Sequence, residues 1–141
     1  MSEECSDYID CKVMFRRALE SNRVLKVIVT RHAVERLIER IPKKFKKLGI
    51  QVLLSTIKNV IEGGECRVYA NQVVYWTKNY VLISVFNEGG ELVIKTVITR
   101  DYVRGRLLRI ISRRGLRVEW SKVIVYPTKA AVKAVSRELK I

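Results

Sequence analysis

Residues 66–99 read CRVYANQVVYWTKNYVLISVFNEGGELVIKTVIT, with the texture of successive strands. Four runs rich in β-branched and aromatic residues, Cys66–Ala70, Val73–Trp76, Tyr80–Phe86 and Leu92–Thr99, are separated by Asn71-Gln72, Lys78-Asn79 and Glu88-Gly89-Gly90. Side chains of that kind suit a pleated, half-buried surface, and turn formers at so short a spacing join neighbouring strands as hairpins. The expectation is an antiparallel β-meander of about four strands.

Upstream of the meander the apolar period is that of helices. Val13, Phe15, Ala18 and Leu19 predict a helix over Cys11–Glu20, and Val24–Thr30, rich in β-branched residues, reads as a further strand. Thr30 then caps a helix from Arg31 to about Ile41, ended by Pro42, whose apolar stripe is Ala33, Val34, Leu37, Ile38 and Ile41. Another helix runs from about Gln51 to Glu62 and is stopped by Gly63-Gly64. Helices followed by a meander give an α+β fold in which the N-terminal helices pack on the sheet. Downstream, Tyr102–Arg114 suits a helix despite Gly105, Leu116–Tyr126 a strand, and Thr128 caps a last helix to Leu139. The whole of 1–141 reads as one domain: an acidic tail at 1–10, a core at 11–99 and a basic C-terminal helix/strand extension at 100–141.

The charge narrows the partners. The chain carries 28 Lys and Arg against 14 Asp and Glu, a net charge of +14, and residues 101–141 hold eleven of the bases against three acids. Such a surplus attracts polyanions over long range and points to nucleic acid. The basic residues are spread through regular helical and alternating patterns, unlike the single amphipathic segment that lies on a membrane surface. No apolar run reaches the eighteen or more residues of a membrane span, and the acidic start does not resemble a signal peptide, so a cytoplasmic location is expected. Cys5, Cys11 and Cys66 are odd in number and lack paired spacing, as in a reducing interior. With only two Gln among abundant Val, Ile, Arg, Lys and Glu, the composition is thermophile-like, a setting in which a Cys5–Cys11 disulfide becomes admissible. Cysteines and histidine show no zinc spacing, and no Walker loop or G-x-G-x-x-G occurs, so neither metal nor cofactor is expected.

Two stretches carry candidate chemistry. In Thr30-Arg31-His32-Ala33-Val34-Glu35-Arg36-Leu37-Ile38-Glu39-Arg40, His32, Arg36 and Arg40 fall at i, i+4 and i+8 on one polar helix face. Histidine is a natural proton carrier near neutral pH, and flanking arginines grip phosphate bidentately. On residue grounds alone the same face also fits ion pairs of the arginines with Glu35 or Glu39 and a plain surface histidine. The second stretch is the series Arg104, Arg106, Arg109, Arg113, Arg114 and Arg117, which exceeds what solubility needs and suits phosphate contact, with Tyr102 and Trp120 nearby as stacking candidates. Lys43 and Lys44, in the connector Lys43-Lys44-Phe45-Lys46-Lys47, form a smaller basic patch.

The signature His32-Ala33-x-x-Arg36-x-x-x-Arg40, with the following helix and meander, resembles the RelE/BrnT-like toxin superfamily over about residues 28–99. The resemblance implies a metal-independent endoribonuclease, or a relative that has kept the scaffold and binds RNA or DNA without cleaving it, with an acidic antitoxin protein as a partner. Under it, His32 carries the proton while Arg36, Arg40 and Arg100 stabilise the phosphate, with Tyr75 or Lys95 as additions from the sheet.

Overall fold

The computed structural model describes residues 10–41 and 49–139. Within them the chain runs α1 (Cys11–Glu20), β1 (Val24–Val29), α2 (Arg31–Arg40), α3 (Ile50–Gly63), β2 (Glu65–Tyr69), β3 (Gln72–Trp76), β4 (Tyr80–Phe86), β5 (Leu92–Thr99), a 3-10 turn at Arg100–Tyr102, α4 (Gly105–Ser112), β6 (Lys122–Pro127) and α5 (Lys129–Leu139). The acidic tail before Asp10 and the lysine connector with Lys43 and Lys44 lie outside the described residues, as does Cys5 of the admissible Cys5–Cys11 disulfide. The fold is α+β, as the meander and its preceding helices require.

The expected four strands pair antiparallel in the order β2-β3-β4-β5, but they are two-thirds of a larger sheet. The full order is β2-β3-β4-β5-β1-β6, with β1 parallel to both β5 and β6. The four-stranded antiparallel meander is therefore incomplete: the sheet has six strands and is mixed. The segment read as a C-terminal extension is part of that sheet, since β6 pairs with β1 from Val24↔Lys122 to Val29↔Pro127 and α5 packs on α2.

Register sorts the side chains onto two faces. Tyr75↔Leu82 and Val73↔Ser84 share a face with Cys66 and Val68 of β2, with Phe86 and Leu92, and with Leu25, Val27 and Val29 of β1. This face forms the principal core with Phe15 of α1, Leu37 of α2, Leu53 and Ile57 of α3 and Ala131 of α5. On the opposite face Val74, Trp76 and Val81 are buried by Val103 and by Ile110 and Ile111 of α4. A bulge at Lys95, where the register passes from Ile83↔Thr96 to Ser84↔Ile94, lets Ile94 and Val97 of one strand both serve the principal core.

The sheet coils until its two ends approach each other. α3 touches β3 and β6, which lie toward opposite edges, and Leu116, on the way into β6, forms an isolated antiparallel bridge with Cys66 of β2 through two N–H···O bonds of 2.8 Å. The expected strand over Leu116–Tyr126 is for this reason two pieces: a bridge at one sheet edge, then β6 at the other. Trp120 lies between them, its indole N–H donating to Tyr75 Oη (3.1 Å) and its ring set edge-on to Phe15 at 5.9 Å. Of its two readings, stacking ring or core residue, these contacts favour the second: Trp120 is half-buried and packs against the principal core. The helix expected over Tyr102–Arg114 is shortened to α4, because Gly105 opens it with φ +62° after the 3-10 turn.

Candidate nucleic-acid interface

The arginines of the C-terminal part do not form a single stripe. α4 turns Ile110 and Ile111 toward Trp76, so Arg106 and Arg109 stand on its exposed side, and Arg104 is tied down by donating to the carbonyls of Asp101 (2.8 Å) and Val103 (2.9 Å). Tyr102 beside them is 69% exposed, as a stacking ring would be.

Beyond α4 the chain is drawn across the outer edge of β2. Arg67 donates to the Arg114 carbonyl (2.9 Å), Glu65 accepts from the Gly115 N–H (2.6 Å), and Arg117 donates to the Gly63 carbonyl (3.2 Å). Gly115 is required here: a Cβ on it would stand 2.6 Å from the Trp76 ring. Gly64 is equally constrained, because a Cβ there would meet the backbone carbonyls of Val60 and Trp76.

These bonds enclose a cleft of about 730 Å³. Its lining brings together Lys78 from the β3–β4 turn, Arg100 from the end of β5, and Arg113, Arg114 and Arg117 from the segment after α4. Arg100 is steadied by donating to the Thr77 carbonyl at 2.8 Å. Among the described residues Glu65 is the one carboxylate in the lining, and it is already engaged by a backbone amide. None of the five cations forms an ion pair with a described carboxylate. The three ion pairs between described residues all lie on α2.

The α2 face is different. Thr30 caps the helix by accepting from the Ala33 N–H (3.3 Å), and its hydroxyl donates to the Ile94 carbonyl (2.7 Å), anchoring the helix start to β5. His32 is exposed and lies in a small concavity of about 300 Å³ with Glu35, Arg36, Ile38 and Glu39. Arg31 pairs with Glu35 at 3.0 Å, Arg36 pairs with Glu39 at 3.1 Å, and Arg40 lies 3.5 Å from the same Glu39 while donating to the Arg36 carbonyl. The pairing of bases with the interleaved acids follows from helical spacing. The structure thus groups His32 with Arg36, leaves Arg40 beside them, and puts Arg100 in the other cleft.

Tyr75 is 1% exposed, and burial holds its phenol well above the ordinary value, with the neighbouring Cys66 raising it further. Lys95 sits at the bulge of β5. Cys66, also buried, has its thiol pushed up to about 11 by desolvation, which a hydrogen bond with Tyr75 partly offsets. Among the described residues no group of three His, Cys, Asp or Glu is placed to hold a metal, and no helix is long and apolar enough to cross a membrane.

Comparison with known proteins assigns no family. The chain matches no family model, no curated protein and no solved structure. Lys78 is the cleft residue that sequence reasoning missed; a lysine in a tight turn carries no signal until the turn is placed beside the arginines.

Proposed function

We propose that the protein is a nucleic-acid-binding module whose phosphate site is the cleft of Lys78, Arg100, Arg113, Arg114 and Arg117. The observation that carries this reading is the convergence of five cations on one concavity whose single described carboxylate is spent on a main-chain amide. Guanidinium groups fixed by one bond to a carbonyl keep further N–H donors for phosphate oxygens, and their planar fork fits phosphate bidentately. RNA is favoured over DNA by the resemblance of the His32–Arg40 signature to ribonuclease toxins. Cleavage is the weaker reading, because Arg36 is already paired with Glu39 and the phosphate-binding Arg100 lies in a different concavity from His32.

Fluorescence anisotropy with labelled single-stranded RNA tests it. Contact with about five phosphates gives a log–log salt slope of roughly −3.5, about a hundredfold loss of affinity between about 50 and 200 mM salt. Arg113→Glu and Arg114→Glu should each weaken binding strongly, whereas Lys133→Glu, the same charge change on exposed α5, should weaken it little. No binding at low salt, or equal losses in all three variants, overturns the cleft assignment. RNA incubated with the protein in EDTA provides the enzymatic arm: 2′,3′-cyclic ends that vanish in His32→Ala would establish the ribonuclease instead.

A further inference from the structure

A second concavity, about 550 Å³, adjoins the cationic cleft on the far side of Arg114, the residue that lines both. Its walls are apolar: Phe15 and Leu19 from α1, Val68 from β2, and Leu116, which is 53% exposed although it sits in the bridge to Cys66. Its rim is cationic, with Lys12 and Arg16 on the α1 side and Arg67 and Arg114 on the β2 side. No carboxylate lines it among the described residues. Arg67 donates to the Arg114 carbonyl at 2.9 Å and so fixes the saddle between the two concavities.

We infer that this groove accepts an unpaired nucleobase of a single strand whose phosphates lie in the adjoining cleft and on the groove's rim. The inference rests on the nucleic-acid reading given above and deepens it. An apolar slot framed by cations and continuous with a phosphate site has the alternation of a nucleotide chain: flat, poorly hydrated rings between anionic links. Bases stack on apolar and aromatic surfaces without regard to identity, so the slot selects for strandedness and tolerates sequence. A duplex base must first be unpaired and unstacked to enter, which a single strand avoids. The walls come from α1 and from the β2–Leu116 bridge, so the slot exists only because the 113–117 segment is drawn across the edge of β2.

The test compares the full-length protein on three probes of equal phosphate number: a single strand, its duplex, and a single strand with abasic sites. The intact single strand should bind about tenfold tighter than the other two, the usual scale for one stacked base. Leu116→Ser, which keeps the backbone bridge, should erase that difference and leave the salt slope unchanged. Arg16→Ala should weaken all three probes and reduce the slope by about 0.7, one phosphate on a single strand. A 2-aminopurine placed in the strand should change emission on binding to the wild type and stay unchanged with Leu116→Ser. Equal affinity for all probes with a normal salt slope overturns the base slot and leaves the phosphate cleft standing; absence of binding to any probe removes both. Capture of anionic vesicles by the wild type and not by Leu116→Ser, without strand discrimination, would assign the groove to an acyl chain and also overturn the inference.

Discussion

Gly115 and Gly64 have no room for a single added carbon. Gly115→Ala drives a methyl into the edge of the buried Trp76 ring, and Gly64→Ala drives one into two main-chain carbonyls that cannot step aside. Overpacking of this kind costs about 1–3 kcal/mol, and we expect losses in that range by urea denaturation, larger for Gly64 because its neighbours are backbone. A wild-type midpoint for Gly64→Ala would contradict this packing. Cys66 makes a prediction with pH. Its thiol is neutral in the fold up to about 11 against an ordinary value of 9.0, so between those values the unfolded chain binds fewer protons than the folded one. Stability therefore falls as pH rises through that window, by about 2 kcal/mol at most, and Cys66→Ala should flatten the fall, read as melting temperature from neutral pH to about pH 10.5. None of this was visible in the residues themselves. Gly63-Gly64 reads as a helix stop, which it is, but half of Gly64's crowding comes from Trp76, on a strand that follows later in the chain. Cys66 reads only as an odd cysteine.

At the scale of the element, local signals were legible wherever the element ends on its own residues. Cys11–Glu20 is the expected helix residue for residue, with Asp10 accepting from the Lys12 N–H as its cap, and the four strand cores of the meander are the expected ones to within a residue at their starts. The Thr30 and Thr128 caps are both present, the second accepting from the Ala131 N–H at 3.0 Å. Thr128→Ala should cost about 1 kcal/mol, whereas Thr30→Ala should cost about 2 because the hydroxyl also bonds the Ile94 carbonyl and links α2 to β5. Equal losses in thermal or urea unfolding would show that the link to β5 contributes nothing. Elements were misjudged where tertiary pairing cuts across the local pattern. Leu116–Tyr126 has strand residues throughout, yet Leu116 pairs with β2 and Lys122–Pro127 with β1, so residues between them must cross from one sheet edge to the other. The α2 face was legible to the same degree: helical spacing pairs Arg36 with Glu39, as the structure shows.

For the whole molecule, a charge of +14 sets two opposite salt effects. Free protein should melt at a higher temperature as salt rises from low to moderate ionic strength, because screening relieves the self-repulsion, while affinity for RNA falls over the same range. Melting curves of the free protein that are flat or fall with added salt would show that the cations are already neutralised within the fold. Neighbouring residues alone made legible the secondary structure of most segments, the hairpin succession of the meander, the α+β class and the surplus of positive charge. Each of these follows from a period, a cap or a sum taken over neighbouring residues. Long-range packing alone places β1 between β5 and β6 in parallel, holds Arg114 and Gly115 across the edge of β2, and joins Arg100 to Arg113 and Arg117 instead of His32. The physical reason is one of range. Periodicity states which face of an element is apolar, whereas the partner of that face is chosen by packing among segments tens of residues apart, and a cleft is made only where two such choices meet.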